Sequence, residues 1–337
     1  MRRPCRALAR VKAALLSRGL HIERLSDADR RYRTALVDDS VPLPESAEGL
    51  RSDAPRLLEL RAAYSAADPA VRVHSRWTDE VFASWLDLQH FRGDNAYVYQ
   101  FREDRRVSEL KHLLYLQEVM ARDRVGLLNE LSEDGAFGCW TFEFEGLPRC
   151  SRELLDSVNE LLFLDAELGI RSGTCPRVLD IGAGYGRMAH RYVTAVPATS
   201  DYCCVDAIAE STFLSEYYVR YRGVAPPARV VPLFDVPSLE PGAFDLALNI
   251  HSWSECTLDA IGWWAEVLAH LQVPRVFVVP NEDQGFASFE VDGRRLDYRP
   301  ALEAVGYRLV RDVPAFPPAL RTALSRRDRF CLFERTG

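Results

Sequence analysis

The chain has 337 residues, 47% of them apolar, with 27% charged side chains and a formal net charge of −7. That composition supports a sizeable buried core in one large or two ordinary domains. The acidic balance, with no basic domain standing out, excludes a nucleic-acid polyanion as the expected partner. No run approaches the roughly 20 apolar residues of a membrane span.

The start, MRRPCRALARVKAALLSRGL, is arginine-rich, but its longest uncharged apolar run is Ala13–Leu16, too short for a signal-peptide core. It reads as a surface helix or arm. Residues 1–75 are uneven. Polar stretches at Asp38–Pro55 and Ala66–Pro69 flank a helical pattern at Arg56–Tyr64, so this is expected to be a loosely structured or helical N-terminal segment. Residues 76–172 read as a helical cap or substrate region. Within it, Val107–Asn129 places Leu110, Leu113, Leu114, Leu116, Val119 and Met120 near helical spacing, and Ser151–Leu168 repeats the pattern behind a Ser151 start signal. Phe91–Phe101, FRGDNAYVYQF, is dense in aromatics. It fits an aromatic core patch, or a roof in which Tyr97 and Tyr99 stack on a ligand.

From residue 173 to 337 the pattern becomes strand–helix alternation. Strands are expected at Arg177–Asp180, Tyr202–Asp206, Arg229–Leu233, Phe244–Ile250 and Arg275–Val279, then at Tyr307–Val313 and Arg329–Glu334. Helices are expected after Gly186 and at Ala209–Tyr221, Leu258–Leu271 and Arg299–Ala304. This is a doubly wound, Rossmann-like α/β sheet of seven strands, the last antiparallel, behind a mainly helical N-terminal region. The eight cysteines form no C-x-x-C and no zinc spacing. Scattered thiols fit a cytoplasmic protein.

The chemistry begins at the first strand of that sheet. RVLDIGAGYGRMAHRYV (Arg177–Val193) is a strand, a glycine turn and a helix start. Such turns let a ligand approach the backbone and present free N–H groups. The spacing is G-x-G-x-G, and Arg187 stands where a dinucleotide-binding turn needs its third glycine. S-adenosylmethionine (SAM) therefore fits better than NAD or FAD. Gly182, Ala183, Gly184, Tyr185 and Gly186 would line the methionyl end. Asp180 would meet the cofactor ammonium, and Asp206 with Ala207, closing the second strand, the ribose hydroxyls. Phe234 and Asp235 would reach the adenine, and Asn249 would line the mouth of the sheet.

NIHSWSEC (Asn249–Cys256) follows the fourth strand. His251 is placed for a general base, with Glu255 to orient or charge-stabilise it. Trp253 in the same segment, and His190 one turn into the helix after the glycines, are further candidates for substrate contact. Asn281 and Glu282 follow the fifth strand, where an amide and acids suit sugar hydroxyls or a metal. No metal ligand set is assigned, and a divalent ion is unsupported.

LDIGAGYGRMAHR (Leu179–Arg191) and NIHSWSE (Asn249–Glu255), with FRGDNAYVYQ (Phe91–Gln100) and VPNE (Val279–Glu282), resemble the sugar O-methyltransferase family of natural-product gene clusters. The likeness runs from about residue 80 to the end. It implies a class I methyltransferase fold, SAM as cofactor and S-adenosylhomocysteine (SAH) as product. It also implies a small-molecule glycoside as partner, with His251 and Glu255 facing the acceptor sugar, and leaves a homodimer open. Two other readings are an O- or N-methyltransferase acting on a non-sugar metabolite, and a non-catalytic SAM-binding partner protein.

Overall fold

A computed structural model describes residues 11, 12, 14–20, 25–95, 97–100, 104–173, 175–281 and 285–336. The first ten residues of the arginine-rich start, and Glu282, lie outside the described residues.

The central strands are short, apolar and buried along most of their length, while the edge strand Tyr307–Pro314 is charged and largely exposed. β1 (Val178–Ile181), β2 (Tyr202–Val205), β3 (Ala228–Val230), β4 (Leu246–Ile250), β5 (Arg275–Val279), β6 (Tyr307–Pro314) and β7 (Arg329–Arg335) form one sheet in the order β3-β2-β1-β4-β5-β7-β6. β1 to β5 pair in parallel, and β7 runs antiparallel to both β5 and β6. The sheet is therefore the seven-stranded, Rossmann-like arrangement with a reversed last strand that the sequence implied. Successive strand residues face opposite sides. Leu179 and Ile181 join one core with Leu214 and Ile261, while Val178 and Leu248 join the other with Leu155 and Tyr192. A sheet apolar on both faces needs helices on both.

The longer helices supply those faces: α1 (Pro55–Tyr64), α2 (Arg105–Arg122), α3 (Arg152–Leu168), α4 (Arg187–Ala195), α5 (Ala209–Tyr221) and α6 (Leu258–His270). The helix expected over Val107–Asn129 stops at Arg122, and a short helix follows at Leu127–Glu130. Asp123 causes the break: its carboxylate accepts the Leu127 and Leu128 N–H groups at 2.9 and 2.8 Å, offering the backbone a competitor to the helical ladder. β3 also ends earlier than expected, because Pro232 has no N–H for the ladder and opens a 3-10 turn at Leu233–Ser238.

α1 sits on α5. Leu57 and Leu60 are fully buried, and Arg56 and Arg61 pair with Glu216 and Glu210, each at 2.7 Å. The region before the sheet is tied in elsewhere by one buried guanidinium. Arg92 donates to both Glu133 oxygens at 2.9 Å and to Glu153 at 2.7 Å. Arg191 of α4 reaches the same Glu133 at 3.0 Å, and Tyr185 of the glycine turn donates to Glu153. Burial pushes the Glu133 carboxyl up, but the two guanidiniums outweigh it and hold it down at about 2. Among the described residues, Glu133, Cys139 and Glu153 are also the group close enough to suggest a metal. Arg92 bonds to all three and already supplies the cation.

No helix among the described residues is long and apolar enough to cross a membrane. The described cysteines are free thiols.

Candidate active site

In an open parallel sheet, ligands collect at the carboxyl ends of the strands. A cavity of about 570 Å³ opens there, over β1, β2 and β4. Its floor is the glycine turn. Gly182 takes a positive φ of 73°, and a Cβ on it would fall 2.2 Å from Ser252 Oγ, so only glycine closes β1 against the turn after β4. Tyr97 roofs the turn: its ring lies 3.7 Å from where a Gly184 Cβ would be and its hydroxyl bonds Ser211 at 2.9 Å, while Trp77 stacks on it at 5.5 Å between centroids.

Two carboxyls face this floor. Asp180, one residue before the end of β1, receives the Tyr202 hydroxyl at 2.8 Å, and is pushed up to about 6 by burial. Asp206 follows β2. Its two oxygens accept the Gly184 and Ile208 N–H groups, each at 2.9 Å, and burial pushes it up to about 7 against those bonds. Each oxygen keeps a second acceptor site. Asp180, Asp206, Gly182, Ala183, Gly184, Tyr185 and Ala207 all line the cavity.

Gly186, Asn249, Phe234 and Asp235 do not line it. Gly186 starts α4 and packs toward Ser215 and Val219 of α5. Asn249 is a brace. It donates to the Ile181 carbonyl at 2.9 Å and accepts the Trp253 N–H at 3.0 Å, fixing the turn that carries His251. Phe234 is 46% exposed and touches Tyr64 edge-on, and Asp235 is exposed.

The N-terminal segment packs against the loop after β3 and lines the cavity instead. The Tyr64 hydroxyl receives the Leu233 N–H at 3.0 Å, meets Thr212 at 2.6 Å and donates to the Asp206 carbonyl at 3.3 Å. It thereby occupies the backbone donor that follows β3. Val71, Val73 and His74 then line the cavity opposite Ala260 and Trp264 of α6. We expect Asp235→Ala to leave SAH affinity within about twofold, as for a surface change that touches no ligand. Calorimetric titration checks this, and a tenfold loss would return the adenine to the loop after β3.

On the other side of the glycine turn lies His251. It stands at φ 65°, a strained setting for a non-glycine residue that the His251 N–H to Val279 carbonyl bond at 2.7 Å helps hold. Burial holds its imidazole below the ordinary histidine value, so it is neutral near pH 7. Glu255 does not orient it. The Glu255 carboxylate accepts Trp77 Nε1 at 2.9 Å and Asn281 Nδ2 at 3.5 Å, and burial pushes it up to about 7. His251, Glu255, Asn281, Tyr97 and Tyr99 all line the cavity.

Trp253 and His190 lie elsewhere. Trp253 is fully buried against Tyr298, because the Asn249 brace turns it under the sheet. His190 sits between α4 and α5, 3.4 Å from the Tyr218 hydroxyl, and burial beside Arg191 and Arg222 drives its pKa to about 2. It packs as a neutral ring outside the cavity lining.

Sequence reasoning missed much of the remaining lining. Asp156 of α3, Arg187 of α4, and Arg326 and Asp328 just before β7 form a charged wall beyond His251. Arg326 pairs with both Asp156 and Asp328, and Arg187 holds Glu160 at 2.8 Å. The one signal available was SRRDRF (Ser325–Phe330), a charge cluster directly before an apolar strand.

No protein-family model matches the chain, nor does any curated protein sequence. Solved structures do align. The 1,6-didemethyltoxoflavin N1-methyltransferase of Burkholderia thailandensis, bound to 1,6-didemethyltoxoflavin and SAH, is 21% identical over 52% of this chain and 76% of its own, with a TM-score of 0.39. A SAM-dependent methyltransferase of Leishmania major is 18% identical over 53% and 71%, with a TM-score of 0.39. One from Aquifex aeolicus is 16% identical over 52% and 88%, with a TM-score of 0.37. Likenesses of this size bear on the fold at most.

Proposed function

We propose that this chain is a SAM-dependent O-methyltransferase acting on a sugar hydroxyl of a glycosylated small metabolite. One observation carries the reading. A glycine cradle too tight for a Cβ, two inward carboxyls at Asp180 and Asp206, and a neutral histidine held at a strained φ all face one cavity.

The residues present fit the cofactor. Asp206 has acceptor sites left for a pair of ribose hydroxyls, Asp180 suits an ammonium, and the Gly182–Gly184 backbone admits the methionyl chain without a side-chain clash. Val71, His74, Ala260 and Trp264 close the far end around a flat ring. When bound there, SAM supplies an electrophilic methyl carbon. Everything else falls to this chain. His251 removes the acceptor hydroxyl proton, which an alcohol must lose as its oxygen forms the new bond. The cavity walls hold that oxygen in line and keep water away from it. Glu255, fixed by Trp77 and Asn281, presents a carboxyl to a further hydroxyl of the acceptor.

His251→Ala is expected to slow turnover at least about 100-fold while leaving SAH affinity unchanged, since general-base contributions begin near that factor. Single-turnover rates and calorimetry separate the two, and near-normal turnover would remove His251 as the base. The experiment that tests the whole reading is mass spectrometry of SAM reactions with deoxysugar glycosides and their aglycones, with and without EDTA. A one-methyl gain confined to glycosides supports it. Gain on aglycones, or cofactor binding with no transfer, overturns the sugar assignment or the enzymatic one.

A further inference from the structure

A histidine base works from one ring nitrogen only when something fixes the other. His251 Nδ1 is buried and has no hydrogen-bond partner. Nε2 is not among the buried partnerless atoms, and the ring as a whole is partly accessible in the cavity. The proton-accepting nitrogen is thus Nε2, and the free nitrogen needing a partner points inward.

The topology brings one to it. Because β7 is antiparallel, its first residue lies at the edge where the parallel strands end: Val278 near the close of β5 pairs with Cys331 near the start of β7. Asp328 immediately precedes β7, and His251 immediately follows β4. Only β5 lies between them, so about 10 Å separates their backbones, two strand spacings, which a histidine and an aspartate side chain together span. Asp328 is 2% exposed, lines the same cavity, and neither carboxylate oxygen makes a hydrogen bond. Its salt-bridge partner is Arg326.

We infer that Asp328 is the positioning residue for His251: it receives the Nδ1 proton, fixes the tautomer with Nε2 bare, and stabilises the imidazolium formed when the acceptor proton arrives. The inference rests on the methyl-transfer reading above. It assigns to β7 a role that the spacing of NIHSWSE had suggested for Glu255. The charged groups facing the imidazole are Asp328 and Arg326 before β7, Asp156 on α3 and Arg187 on α4. Asp328 and Asp156 favour the protonated ring, the two arginines oppose it, and Asp328 has the largest effect of the four.

The test is long-range nitrogen–proton NMR of the histidine rings in the full-length, nitrogen-15-labelled protein with SAH, His251 being assigned by its loss in His251→Gln. The expected spectrum shows His251 protonated on Nδ1 and bare on Nε2. Asp328→Asn should lower its titration midpoint by about one pH unit or more, the usual effect of removing an adjacent opposite charge. Asp328→Glu should restore most of it, and Glu255→Gln should not move it. Calorimetry of SAH with each variant confirms that the cofactor wall is intact. A proton on Nε2 in the parent protein, or an unmoved midpoint in Asp328→Asn, overturns the inference. Failure of the parent protein to bind SAH would instead remove the methyltransferase reading, while the tautomer and midpoint still decide the pair.

Discussion

Asp206→Ala is expected to abolish measurable SAH binding, a loss of at least about 100-fold. A carboxylate that receives two hydroxyls forms hydrogen bonds of about 1.5–3 kcal/mol each. Calorimetry checks this, and tight binding by the variant would contradict the ribose assignment. The same residue sets a pH dependence of known sign. Burial raises its folded pKa from 3.8 to about 7, Asp180 adds repulsion, and the Gly184 and Ile208 N–H groups oppose both. A carboxyl with a raised folded pKa favours folding most when protonated. Its contribution to the free protein is therefore complete below about pH 3.8 and is lost as pH rises through about 7. Ligand binding has the opposite sign, because the ribose hydroxyls need the ionised form. SAH affinity should rise between about pH 6 and about pH 8, and Asp206→Asn should flatten that rise.

The largest loss of stability is expected from Arg92→Ala. Arg92 is 1% exposed and neutralises Glu133 and Glu153, which are buried with it. Removing one member of a buried ion network costs about 3–5 kcal/mol, because the partner charges stay desolvated. A fall of roughly 4–7 °C in Tm follows for a chain of this size. Thermal melting checks it, and a shift of a degree or two would mean that water reaches Glu133. Arg92→Lys should fall between the two, since an ammonium keeps the charge but not the fork that reaches both acids.

The glycine turn, Asp180, Asp206 and His251 were legible because their placement is local. A strand that ends in an acid and glycines, or in a histidine, carries its own address in the sheet. Phe234 and Asp235 were placed by the same rule, but Tyr64, some 170 residues earlier, takes the Leu233 N–H, and neither residue lines the cavity. Sequence spacing holds no record of such a contact. Arg92 lay in a stretch read for its aromatics, and its three acidic partners are 41 to 61 residues away. Asp123 was hidden inside an apolar helical pattern because its effect depends on side-chain geometry. Asp328 needed the direction of β7 before its position meant anything. His190 and Trp253 show the converse: residue types suited to chemistry, placed by helix phase and by the Asn249 brace into packing.

The strand order has a consequence for how copies of this chain meet. An open sheet leaves two edges with unpaired backbone groups, and such edges template aggregation. Here one edge is β3, only three residues long. The other is β6, which carries Arg308, Arg311 and Asp312, breaks register between Leu309 and Arg311, and ends at Pro314. Neither offers a flat, regular ladder to a second copy. Self-association of this chain would have to use side-chain surfaces, and its sheet stays a closed unit even when crowded against its own kind.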